Sequence, residues 1–186
     1  MLKNKNILSI IDKNFELNLE TSEPDKIYRN YLGNESWKEL KDFIMKEENY
    51  TCQGCRIRPF DKEFLEIHVV SGDVQNVDSY KIVLLCKSCH TLQHIDIAAD
   101  MGWIKLCNSI HDQKKIIEIC RSGNSSLMEK INLGEIMTLS QDPKNYSEKI
   151  KVDVFCKRKK IKAIFGSKFP KDRLKWFMDN KELYHN

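Results

Sequence analysis

Apolar residues fall in short, separated runs along this chain, and their spacing predicts mixed secondary structure. In PDKIYRNYLGN, Pro24 opens a helix, Ile27, Tyr28, Tyr31 and Leu32 recur at helical spacing, and Gly33 ends it. Ser36 offers an N-cap for the next helix, WKELKDFIMKEEN, where Trp37, Leu40, Phe43 and Ile44 form one apolar stripe. The period then changes. FLEIHVV and the later YKIVLL are short runs that read as two strands, with Ser71, Gly72 and Asp73 beginning the loop between them. From Lys87 a helix is expected through SCHTLQHIDIA. Helical spacing returns in WIKLCNSI, DQKKIIEICRS and SSLMEKINLGEIMTL. Ile150, Val152 and Val154 alternate, so their stretch stays open between helix and strand. Pro170 opens a last helix with Leu174, Phe177 and Met178 on one face.

These elements predict an α+β chain in three parts. Residues 1–48 form a helical N-terminal segment, 49–98 a small module of two strands and a helix, and 99–186 a mainly helical region. At 186 residues the chain is long enough to bury a core. No stretch approaches the roughly 18 apolar residues of a membrane helix. The first apolar run is broken by Asp12 and Lys13 and lacks a signal-peptide core. The expectation is a cytoplasmic protein with no membrane partner; oligomeric state leaves no mark on the sequence.

Charge adds one feature. Lys157, Arg158, Lys159, Lys160, Lys162, Lys168, Lys171, Arg173 and Lys175 crowd one segment, opposed there by Asp172 alone. The whole chain is only +4, so the rest is net acidic. A basic segment on an acidic body suits a polyanion such as nucleic acid, although a solvated basic face gives the same pattern.

Cysteine changes the picture most. The chain has seven, an odd number with no export signal, which argues against a disulfide framework. Cys52-Gln-Gly-Cys55 and Cys86-Lys-Ser-Cys89 are matched C-x-x-C pairs separated by thirty residues. Each pair aims two thiolates at one point, and two pairs complete a closed tetrahedral site suited to structural zinc. A redox function needs only one such pair. Cys86-Lys-Ser-Cys89-His90 also fits a c-type haem attachment pattern, but a second C-x-x-C is there to pair with it. Cys107, Cys120 and Cys156 lie in apolar contexts and read as core thiols.

His90 and His94, spaced i, i+4, lie on one face of the expected helix, and His68 is available from the preceding strand. Together they make a candidate second site for a divalent metal: Mg, Mn or Zn. The plainer alternative has His68 satisfied in the core and His94 at the surface.

The run YTCQGC…LEIHVV…IVLLCKSCHTLQH resembles the HNH endonucleases of the ββα-metal, four-cysteine zinc type, and SWKELKDFIMKEEN resembles the helix leading into that module. The likeness covers about residues 36–98. It implies a hairpin on a helix, a structural zinc at Cys52, Cys55, Cys86 and Cys89, and a catalytic metal at His68, His90 and His94, with His68 and His90 in the catalytic set. The activity implied is metal-dependent hydrolysis of nucleic acid, with DNA the expected substrate and Lys157, Arg158, Lys159, Lys160, Lys162, Lys168, Lys171 and Arg173 holding phosphates. Two positions depart from the family pattern. Val69 stands where the general-base histidine belongs, and Lys81 where the Asn that orients it belongs. Valine accepts no proton. Either His68 becomes the base with Glu66 helping the metal, or the metal acts without a base, or the fold is kept without activity. The alternatives to a nuclease are thus a catalytically degenerate zinc protein that binds nucleic acid, or a protein-binding adaptor.

Overall fold

The computed structural model describes residues 7–20, 35–70, 81–95, 98, 101–107, 109–122 and 162–165. It is mixed helix and strand, with two small antiparallel sheets among the described residues. The chain divides into two compact units. The first comprises 1–16 and 22–90, the second 17–21 and 91–186.

In the first unit, helix α1 spans Glu35–Glu47. It buries Leu40, Ile44 and Met45 and packs against β1. Ser36 therefore lies in the first turn of α1 rather than before it. Strand β1, Leu65–Val69, pairs antiparallel with β2, Ile82–Cys86, in a register that sets Leu65 opposite Cys86 and His68 opposite Val83. Side chains alternate across a strand. Leu65, Ile67 and Val69 thus share one face and are buried, while Glu66 and His68 share the other. Every residue of β2 is buried. Ile11 adds a parallel bridge to Ile82, and the Asp12 N–H donates to the Ile82 carbonyl at 3.1 Å. Among the described residues, the helical expectation for the start of the chain is met by a 3₁₀ turn at Ile7–Ile10 and by α1, while residues 12–20 carry no helix.

Helix α2 spans Lys87–Thr91 and follows β2 without a break. The longer helix expected through residue 98 is interrupted at 92–94, with Ile95 and Ala98 helical again and the Ala98 N–H donating to the His94 carbonyl at 2.9 Å, and the cause of the break is competition for backbone groups. The Leu92 carbonyl accepts from Glu20 N–H, the Ile95 N–H donates to the Glu20 carbonyl, each at 3.1 Å, and Gln93 Nε2 donates to the Asn18 carbonyl at 2.8 Å. Extended chain at 18–20 takes the partners that another helical turn would use.

In the second unit, WIKLCNSI, expected to be helical, contains strand β3, Ile104–Cys107. Ile104 and Leu106 are buried and Lys105 is exposed, a period of two rather than 3.6. Pairing with β4, Lys162–Phe165, overrides the local helical look. Helix α3, Gln113–Ser122, forms as expected, and its Ile116 packs with Cys107 and Ile164. The Gln113 side chain clasps β4 through both its amide atoms, donating to the Ala163 carbonyl and accepting the Ala163 N–H, each at 2.8 Å. Cys107 and Cys120 meet the core-thiol expectation: burial pushes the Cys107 thiol up to about 11, with the nearby Cys120 adding to it.

The expected helices at 24–33, 125–139 and 170–180, the ambiguous stretch at 145–160, the loop from Ser71 and Cys156 lie outside the described residues. No helix among the described residues is long and apolar enough to cross a membrane.

Candidate metal centres

The cysteine site begins where α1 ends. Asn49 and Tyr50 both adopt left-handed backbone angles, φ 50° and 55°, a costly choice for residues with a Cβ. The Tyr50 N–H donating to the Met45 carbonyl at 2.7 Å holds the reversal, which delivers Thr51 and Cys52 toward β2. A tight turn follows. The Cys52 N–H donates to the Ile57 carbonyl at 2.7 Å and the Arg56 N–H to the Cys52 carbonyl at 2.8 Å, with Arg56 at φ 61°. The Cys55 N–H points at the Cys52 sulfur, 3.5 Å away. An amide aimed at sulfur favours the thiolate form. Cys86 comes from the last position of β2, and Cys89 from α2.

All four sulfurs lie within 4.8 Å of one another, and all four residues are buried. Cys55 Sγ and Cys86 Sγ are 3.7 Å apart. A disulfide would hold them at about 2.05 Å. Two sulfurs each about 2.3 Å from one tetrahedral ion would lie about 3.8 Å apart, close to the observed spacing. The chemistry of the set, four soft donors with no open position, fits zinc.

Protonation decides when such a site fills. Burial pushes the Cys52 and Cys89 thiols well above the ordinary thiol value, and hydrogen bonding among the crowded sulfurs adds to it. At Cys86 burial works the same way, but hydrogen bonds from Cys52 and Cys89 outweigh it and the thiol is lowered. Cys86 is thus a readier thiolate than Cys52 or Cys89. Metal must displace the remaining protons, so affinity rises with pH and is lost in acid. We expect zinc affinity to fall by about three to four decades per pH unit below neutrality, one for each proton displaced. Competition with a chromophoric chelator across pH measures this slope; a pH-independent affinity would contradict a thiolate site.

The residue that locks this turn to the hairpin was not singled out from sequence. Gln53 is buried. Its N–H donates to the Leu84 carbonyl at 2.8 Å, its Oε1 accepts the Leu84 N–H at 2.6 Å, and its Nε2 donates to the Asp12 carbonyl at 2.7 Å. Gln53 thus behaves as an extra strand position beside β2. Its signal in the sequence was only a long amide between two ligands. Gln53→Leu strips these side-chain partners from Leu84 and Asp12, and we expect a loss of about 1–3 kcal/mol in denaturant unfolding of the metal-loaded protein.

The histidine site is open by comparison. His68 projects from β1 and is buried; His90 is on α2 and His94 in the turn after it, both half-buried. The His94 N–H donates to the Thr91 carbonyl at 3.2 Å, a turn that keeps His94 near His90 although the helix has ended. One ligand atom from each imidazole lies within 4.8 Å of the others. The His68 and His90 rings meet edge to face, with centroids 5.1 Å apart. Glu66 Oε2 lies 2.6 Å from His90 Nδ1. When Nδ1–H donates to that carboxylate, the Nε2 lone pair is left for an ion, as in carboxylate–histidine pairs behind metals. The donor set, three imidazoles and no thiolate, fits a divalent ion with a coordination position to spare.

Of the sequence-picked residues, the structure brings together two separate sets: Cys52, Cys55, Cys86 and Cys89, and His68, His90 and His94. Val69 is buried with Leu65 and Ile67, on the opposite face of β1 from His68. Of the basic segment, only Lys162 is described, half-buried on β4; Lys157, Arg158, Lys159, Lys160, Lys168, Lys171 and Arg173 lie outside the described residues. No protein-family model matches this chain, and no curated protein matches it significantly.

Proposed function

We propose that this protein is an HNH-like, metal-dependent nuclease that hydrolyses phosphodiester bonds of nucleic acid, with DNA as the expected substrate. The observation that supports it best is the trio His68, His90 and His94 within 4.8 Å, set beside a closed four-cysteine frame. A divalent ion bound there would supply Lewis acidity, polarising a phosphate and stabilising the charge that develops on it. The chain's own residues do the positioning. His68 is fixed by burial on β1. Glu66 sets the His90 tautomer and ring plane through the 2.6 Å contact. The cysteine frame pins β2 to α2, and so holds His90 against the hairpin that carries His68. The basic residues of 157–175 neutralise phosphates in this reading.

A second reading is a zinc-stapled module that binds nucleic acid without cutting it. Val69 favours it. A side chain on the core face of β1 takes no proton from water at the histidine cluster, and a positioned base typically contributes about 10²–10⁴-fold. Incubating the purified chain with plasmid, single-stranded DNA and RNA, with Mg²⁺, Mn²⁺ or EDTA, separates the two. The nuclease reading expects cleavage that EDTA stops. Salt-sensitive binding with no cleavage of any substrate would replace it with the second reading.

A further inference from the structure

The loop joining the cysteine turn to β1 displays Phe60 with 83% of its surface exposed. A lone exposed phenyl is common and by itself says little. Here its loop is tied at both ends and carries exposed cations. Pro59, immediately before it, is buried and anchors the loop. The loop is tied at its start by the Cys52 N–H on the Ile57 carbonyl at 2.7 Å, and at its end by the Phe64 N–H on the Asp61 carbonyl at 3.1 Å. Asp61 caps the 3₁₀ turn Lys62–Phe64, its carboxylate accepting the Glu63 N–H at 2.8 Å. Asp61 is exposed beside Phe60 with its carboxylate turned to the backbone, and Arg56, Arg58 and Lys62 are exposed on either side. Glu63 is also exposed, on the β1 side. Beyond it, Lys87 Nζ stands 4.9 Å over the Phe64 ring, adding a cation where the loop meets α2.

We propose that Phe60 is a stacking platform for an unpaired nucleic-acid base, with Arg56, Arg58 and Lys62 contacting the flanking phosphates. The proposal rests on the nucleic-acid reading above and names the form it takes: strand with exposed bases. A π-face accepts any base, and cations around it meet a backbone that carries charge at every step. The chemistry also fits the position. Glu66 lies six residue steps after Phe60, at most about 21 Å of chain, so a strand crossing the histidine cluster reaches the loop within about six base steps.

The test uses the full, zinc-loaded chain and fluorescence anisotropy with labelled single-stranded DNA, beside an abasic oligonucleotide of equal length. Phe60→Ala is expected to weaken binding of the base-bearing strand roughly tenfold and to leave the abasic strand unchanged. Phe60→Trp is expected to bind the base-bearing strand as tightly as the wild type. Arg58→Ala is expected to weaken both strands and to lower the salt slope by about 0.7. Phe60→Ala binding both strands like the wild type would overturn the platform while leaving the nucleic-acid reading intact. So would a wild-type dimer in sedimentation that Phe60→Ala dissolves, since the loop would then face a second copy of the chain. A wild type that binds no oligonucleotide at low salt overturns both.

Discussion

Cys86→Ser is expected to abolish cooperative folding of the unit that holds the hairpin. Cys86 is fully buried, ends β2, pairs across the sheet with Leu65 and stands 3.7 Å from Cys55. Structural zinc contributes about 10–16 kcal/mol of apparent binding energy to small zinc-dependent folds. A domain of ordinary stability has only about 5–15 kcal/mol in total. The described residues of the unit offer only modest secondary structure to replace that loss: a two-stranded sheet, α1, the short α2 and two 3₁₀ turns. A strong chelator added to the wild type should act in the same way. Cys107→Ser is the matched control, since Cys107 is equally buried but lies in the other unit and outside the four-sulfur set. It should cost only about 1–3 kcal/mol, the ordinary range for a buried substitution. Thermal melts followed by circular dichroism, with zinc content measured on each variant, check the contrast. Equal, small effects of both substitutions would mean that the cysteines are ordinary core.

His90→Ala is expected to remove metal-dependent cleavage while leaving the cysteine-held zinc in place. His90 is the residue on which the open site converges, since it meets His68 edge to face and is the imidazole Glu66 reaches. Lewis-acid stabilisation of a phosphoryl centre is worth several kcal/mol, so the rate should fall by at least about 10²-fold. Glu66→Gln keeps the shape and a hydrogen-bonding oxygen but loses the charge. We expect it to cost about 10–100-fold in affinity for the second metal, the usual effect of changing a carboxylate behind a metal-bound histidine. Folding should survive both changes, because neither residue is part of the apolar face of β1. Initial rates against metal concentration read the two effects separately. Full activity in His90→Ala would remove the histidine cluster from the chemistry.

The candidate ligands were legible because their spacing is dictated by chemistry rather than by context. Two C-x-x-C pairs can close on one ion almost regardless of what lies between them, and the thirty intervening residues needed only to form a hairpin. His90 and His94 were paired on the assumption of one helix. The structure joins them instead through a short helix and a turn, and the proximity survives the change. What could not be read depended on distant partners. Residues 104–107 look helical until β4, more than fifty residues later, pairs with them. The helix after Cys89 looks unbroken to residue 98 until residues 18–20 take backbone groups at 92 and 95 and interrupt it. Gln53 and Gln113 carry no pattern that marks them in the sequence, yet each supplies both its side-chain donor and its acceptor to strand backbone or the segment beside it. The face of Val69 follows from strand alternation once the register with β2 is known.

The proposed nuclease requires two metal centres of different character in one chain: a closed thiolate site at the four cysteines, and an imidazole site at His68, His90 and His94. Native mass spectrometry of the wild type beside His90→Ala, after zinc or manganese loading, tests this most directly. The prediction is two metal ions on the wild-type chain and one on the variant, with the remaining ion resisting exchange. One ion on both proteins would contradict it, and would leave the four cysteines as the chain's sole metal centre.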